Sequence, residues 1–199
     1  MKYSIIAVCL ILLFSSCSSA SNVKRVQSGT QADLSGNWNA KDVQIVCEAL
    51  IIDCLSSARV DQEIRARNKK PVVIVGRFRN ESREQIDTSI ISAIMENVIF
   101  NSGKLDFVAG GDTRTDLRAE RQDQQSNASE NSAVSLGKEI GADFMLTGSV
   151  RIIVDTEGNT SVRTYYVSAE LTNIETNARM WLGHNDEITK IITRPKNRL

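Results

Sequence analysis

The clearest pattern along the chain is a run of apolar residues at helical spacing after Asn39. The apolar positions are Val43, Val46, Cys47, Leu50, Ile51, Cys54 and Leu55. Asn39 followed by Asp42 three positions later is typical of a helix N-cap with an acidic first turn. The sequence therefore predicts an amphipathic helix of about four turns that begins at Asn39.

A strand, a helix and a second strand are predicted next. Residues 72–75 are four consecutive aliphatic residues, which is typical of a strand buried on both faces. Asp87 is suited to cap a second helix and Gly103 to end it. A short strand is predicted over residues 105–109, followed by a polar segment, 113–125, of helix-forming composition.

The C-terminal part predicts one short helix and three strands. Ser129 is suited to cap a helix that contains Val134, Leu136 and Ile140 and stops at Gly141. Strands are expected over 142–155, 160–175 and 178–193, joined by turn-forming residues at 157–159 and 175–177. The order α-β-α-β-α-α-β-β-β predicts an α/β fold, in which helices pack on a mixed sheet.

The N-terminus has the pattern of an export signal. Residues 5–14 are ten apolar residues behind Lys2, a run too short to span a bilayer, and they lead through two serines to Cys17. This resembles a bacterial lipoprotein signal, in which Cys17 becomes the lipidated first residue, and Ser18 then favours the outer membrane. Ordinary secretion with an incidental cysteine is the alternative. We expect a signal peptide at 1–16, a lipidated N-terminus and tether at 17–32, a globular domain at 33–194 and a tail at 195–199.

The composition excludes several kinds of function. Lys plus Arg and Asp plus Glu each number 24, so there is no basic excess to attract nucleic acid. Cys47 and Cys54 would lie about 10 Å apart along a helix, beyond the roughly 7 Å reach of a disulfide, which predicts two unpaired buried thiols. His184 is the only histidine, so a zinc site lacks ligands. We find no catalytic, metal or cofactor motif and expect a protein that is not an enzyme.

Residues 113–125 carry a segregated charge pattern. At 100° per residue, Arg114, Arg118, Arg121 and Gln125 fall on one side of a helix and the acidic residues on the other. Like charges four residues apart cost a few tenths of a kcal/mol each. One interpretation is that a partner protein pairs with the basic side; a tolerated surface helix or an irregular loop is the alternative.

Phrases such as "KKPVVIVGRFRN", "GADFMLTGSV" and "YYVSAELTNIETNARMWLG" carry a resemblance that extends over about residues 33–194. They resemble the LpoB-type family of outer-membrane lipoprotein activators of penicillin-binding proteins. The resemblance implies a domain like the N-terminal domain of TolB, no active site, and allosteric activation of a bifunctional peptidoglycan synthase from the periplasmic face of the outer membrane. The alternative is an assembly lipoprotein of an outer-membrane secretion or envelope complex.

Overall fold

Residues 36–127 and 140–195 are the part of the chain that the structure, a computed structural model, describes. The helices within these ranges are α1 (Ala40–Ser56), α2 (Ala58–Ala66), α3 (Thr88–Ser102) and α4 (Gly111–Asn127). The strands are β1 (Val72–Asn80), β2 (Asp106–Phe107), β3 (Phe144–Glu157), β4 (Thr160–Asn173), β5 (Arg179–Asn185) and β6 (Thr189–Thr193).

The strands form one mixed sheet. Their order is β2-β1-β3-β4-β5, with β1 parallel to β2 and β3, and the β3–β4 and β4–β5 pairs antiparallel. β6 pairs with the first half of β4, and β5 pairs with the second half. β5 and β6 therefore lie one after the other beside the same strand. The predicted α/β fold with a mixed sheet is confirmed, while the resemblance to TolB stays a prediction.

Helix α1 forms where the sequence places it, and its cap has the predicted geometry. The Asn39 side chain accepts a hydrogen bond from the Asp42 N–H at 3.2 Å, and the Asn39 N–H donates to the Asp42 carboxylate at 2.9 Å. Cys47 and Cys54 are buried and unpaired, as predicted. Burial raises the pKa of each thiol to about 12, with a smaller contribution from a neighbouring carboxylate.

The core lies between one face of the sheet and helices α1 and α3. The α3 residues Ile91, Met95 and Ile99 are almost fully buried, as are Leu146 and Val167 of the central strands. Burying a side chain of this size contributes roughly 1.5–3 kcal/mol to stability. The Trp181 indole N–H on β5 donates to the Asp53 carboxylate at 2.8 Å, which ties the sheet edge to α1.

The structure adds one helix to the predicted elements and corrects two of the predicted strands. Helix α2 was not predicted: Ser57 caps it, but Val60 is its one buried residue, so it lacks an apolar stripe. The strand predicted over 105–109 is only two residues long. The strand predicted over 178–193 is divided, because residues 186–188 are not in a strand and the Ile188 carbonyl instead accepts a hydrogen bond from the Tyr165 N–H. The helix predicted from Ser129 lies outside the described residues, apart from Ile140 and Gly141, which are not helical.

Candidate functional site

The face of the sheet turned away from α1 and α3 is named the open face here. Side chains on a strand alternate between the two faces, so the neighbours of buried core residues lie on it. On β3, Val150 is buried in the core, while Arg151 is exposed on the open face. The open face is therefore the side of the sheet that α1 and α3 do not cover.

A shallow groove of about 360 Å³ crosses the open face. Its charged lining consists of Arg77 and Arg79 from β1, Arg151 from β3, Glu170 from β4 and Arg179 from β5. Thr147, Ser149 and Ser168 add hydroxyl groups between these charges, and Leu182 adds an apolar edge. We name this feature the arginine groove; four strands contribute to it.

Glutamates orient three of the four groove arginines. Glu81 accepts Nε–H from Arg151 at 2.6 Å and forms an ion pair with Arg79 at 3.4 Å. Arg179 pairs with Glu170 at 3.1 Å. The side chains of Arg151, Arg79 and Arg179 are between 64% and 73% exposed, so solvent screens these pairs and each contributes little to folding stability.

An apolar patch continues from the groove along the same face. Ile153 lies two residues beyond Arg151 on β3, and its register partner Thr164 pairs with Thr189 of β6. Ile191, two residues beyond Thr189, therefore shares the face. Ile153 and Ile191 are 59% and 71% exposed, so exposed aliphatic side chains share the face with the charged groove, and Ile153 lies next to its Arg151.

Helix α4, which carries the predicted docking residues, begins on the open face. Gly110 lies so close to Ile74 that an added methyl group would meet that side chain at 3.0 Å. Ile74 stands between the buried Val73 and Val75 of β1, so it belongs to the open face.

The predicted docking residues on α4 differ in their surroundings. Arg118 is exposed and Arg121 is half-buried. The Arg114 side chain turns back, and its Nε donates a 2.9 Å hydrogen bond to the Ala109 carbonyl before the helix. Arg114 therefore holds the start of α4 in place. The Gln125 side chain, like Cys17, lies outside the described residues, and the docking role of the set stays a prediction.

The groove itself was not predicted from the sequence. Its signal was the alternation of Arg77 and Arg79 around Phe78, which places two charges on one face of β1 and an aromatic ring on the other. The partners from β3, β4 and β5 depend on strand order, which the sequence pattern does not specify.

The described residues contain no group of three His, Cys, Asp or Glu side chains placed to hold a metal ion. His184 lies opposite Ser168 on the sheet. The Cys47 and Cys54 thiols are buried with a pKa of about 12, so they stay protonated near neutral pH and are poor nucleophiles. Among the described helices, none has both the length and the apolarity needed to cross a membrane.

Comparison with protein families finds one match over most of the chain. The model of the family described as peptidoglycan-synthase activator LpoB matches residues 42–186. This range begins in the first turn of α1 and ends just after β5, so it includes every strand except β6. Comparison with curated proteins finds no matching sequence.

Solved structures give weaker likenesses. The LpoB C-terminal domain from Escherichia coli is 14% identical, with 77% of this chain and 99% of that chain covered and a TM-score of 0.45. The corresponding domain from Salmonella enterica is 15% identical, with the same coverage and a TM-score of 0.43. Lipoprotein GNA1162 from Neisseria meningitidis is 19% identical, with 64% and 88% covered and a TM-score of 0.40. The family match is therefore the comparison that assigns the chain to a family.

Proposed function

Because the chain belongs to the LpoB family of peptidoglycan-synthase activators, we propose that it binds a bifunctional peptidoglycan synthase, a class A penicillin-binding protein, and stimulates it. The family match over residues 42–186 is the observation that carries this proposal. Under this proposal the protein is not an enzyme; it regulates cell-wall synthesis by contact with another protein.

Activation of this kind is allosteric. A binding protein raises the activity of its partner only by binding the active conformation more tightly than the inactive one. A tenfold shift in the ratio of the two conformations needs a difference of about 1.4 kcal/mol in binding free energy. A few contacts made only with the active conformation supply that difference, and no bound cofactor is needed.

We further propose that lipid on Cys17 holds the protein at the periplasmic face of the outer membrane. A cysteine with several acyl chains gains about 0.8 kcal/mol for each buried methylene group, so two or more chains give durable anchoring. The domain then meets its synthase from the outer-membrane side, and the basic side of α4 contributes to the contact.

The test is a glycan-polymerisation assay with purified class A synthases of the same organism, with and without the full mature chain. We expect the polymerisation rate to rise severalfold and to saturate as the activator is added. An assembly subunit would leave the rate unchanged even if it bound. Unchanged rates with every class A synthase of the organism would refute the proposed function.

The contribution of α4 is tested in the same assay. Charge reversal at Arg118 and Arg121 is expected to weaken capture of the synthase, because both lie on the basic side of an exposed helix. The thermal midpoint should stay within a few degrees, since the helix buries little apolar surface. Capture at the wild-type level would remove α4 from the docking surface.

A further inference from the structure

The charges of the arginine groove are unbalanced. Four arginines and Glu170 line it, and Glu81 pairs with Arg151 and Arg79, so four positive charges face two negative ones. Arg77 is exposed, and within the described part of the chain it has no ion-pair partner. A row of guanidinium groups in a solvent-accessible hollow favours an anionic ligand, and guanidinium binds carboxylate or phosphate through two parallel hydrogen bonds.

The spacing of the cations favours an extended ligand. Arg77 lies within the register shift of β1 between Val75 and Phe78, two residues before Arg79, and Ser149, the register partner of Arg79, is two residues from Arg151 on β3. Alternate residues of a strand repeat at about 6.6 Å, and alternate residues of an extended peptide repeat at nearly the same distance. A segment with carboxylates at every second position therefore matches the cations of the groove.

The groove lies on a face of the sheet, and strand addition takes place at an edge, because the backbone N–H and C=O groups of a strand point toward its neighbours in the sheet. β3 and β4 have neighbours on both sides, while β1 pairs with β2 only at Val72 and Val73 and with β3 along the groove. A ligand on this face has to be held by side chains. The described geometry offers arginines for its charges, hydroxyl groups of Ser149 and Ser168 for its polar atoms, and Leu182 for an apolar contact.

The surroundings of the groove favour a protein ligand. Exposed Ile153 and Ile191 continue the same face, and an arginine cluster beside exposed aliphatic residues is the composition of a protein interface. The net charge of the chain is zero, so long-range attraction to a polyanion such as nucleic acid is not expected.

From these observations we infer that the arginine groove binds an acidic, extended segment of the partner protein, with the exposed Ile153 and Ile191 of the same face covered by apolar residues of that partner. The inference rests on the proposed function, because the partner is taken to be the peptidoglycan synthase. Complementary charge in the groove fixes the register of the segment, and α4 begins on the same face of the sheet.

The main test measures synthase binding by the full chain and by Arg77→Glu. Arg77 is the variant position because removing it breaks no described ion pair, so the fold should be unaffected. Arg59→Glu is the matched control: Arg59 is exposed on α2, on the side of the sheet that the helices cover, and has no described ion-pair partner. We expect Kd to rise about tenfold or more for Arg77→Glu and less than about twofold for Arg59→Glu.

Three further measurements identify the ligand class. A fluorescent decapeptide with glutamate at alternate positions should bind the wild-type chain, compete with the synthase and be lost in Arg77→Glu. Raising the salt from 50 to 300 mM should weaken this binding, since the groove is open to solvent. Vesicles that contain anionic phospholipid serve as the alternative probe.

The outcomes separate this inference from the proposed function. If the wild-type chain stimulates the synthase and Arg77→Glu binds it as tightly as Arg59→Glu does, the groove inference is overturned and the function stands. If the synthase is not bound but the peptide is, and only through Arg77, the acidic ligand is supported and the synthase as partner is overturned. Binding of vesicles but not of the peptide would overturn the protein ligand.

Discussion

At the scale of single residues, a buried ion pair holds the edge of the sheet to the start of α1. Lys190 Nζ lies 2.6 Å from the Asp42 carboxylate and donates to the Asn37 carbonyl at 2.9 Å. Both side chains of the pair are only 8% exposed. Asp42 also completes the cap of α1. Lys190 therefore balances the negative charge of a buried carboxylate that caps the helix.

Lys190→Met is therefore expected to be strongly destabilising. It leaves the Asp42 carboxylate buried without a counter-charge, which typically costs about 3–5 kcal/mol. The measurement is the free energy of unfolding in urea at pH 7. The matched control is Arg65→Met, which breaks the exposed Arg65–Asp61 pair, with side chains 77% and 42% exposed, and should cost less than about 1 kcal/mol. Equal losses for the two variants would contradict the structural role given to Lys190.

At the scale of elements, the close packing of strands β1, β3 and β4 depends on the absence of a side chain at Gly148. A methyl group there would overlap both the ring of Phe78 on β1 and the carbonyl oxygen of Ser168 on β4. The ring is almost fully buried, and the carbonyl is part of the backbone, so neither is free to move away cheaply.

Gly148→Ala is expected to lower the free energy of unfolding by about 1–3 kcal/mol through overpacking. Gly141→Ala is the control, because a Cβ at that glycine meets no described atom within 4 Å, and its effect should stay within about 0.5 kcal/mol. Urea unfolding of both variants checks the difference. A neutral Gly148→Ala would mean that β1 and β4 are less closely packed around β3 than the structure shows.

The elements also show why sequence reasoning succeeded in some places and failed in others. The caps of α1 and α3 were predictable because Asn39 and Asp87 bind their own helices, so the signal is local. Helix α2 was missed because its one buried residue leaves no periodic stripe. The arginine groove was missed for a different reason: it depends on which strands are neighbours, and that is set by packing of the whole sheet.

At the scale of the whole molecule, zero net charge conceals a strongly uneven distribution. One face of the sheet is covered by apolar helix surface, and the other presents arginines and exposed isoleucines. In a protein built in this way, one face of the sheet forms the hydrophobic core and the other is suited to recognise a partner. Under the proposed function, anchoring at a membrane would also favour encounter with the partner, because it limits the search to a thin layer.

The proposed anchor gives the last prediction. Cys17→Ala in the full chain is expected to abolish incorporation of radiolabelled palmitate in cells, because the proposal places the lipid on that residue. Cys9→Ala, within the predicted signal peptide, removes a cysteine eight positions away and should leave labelling unchanged. Purified wild-type protein should also show the mass of a lipid-modified N-terminal cysteine. If the label persists in Cys17→Ala, the anchor lies elsewhere; if the wild type is never labelled, the domain reaches its partner without a lipid anchor.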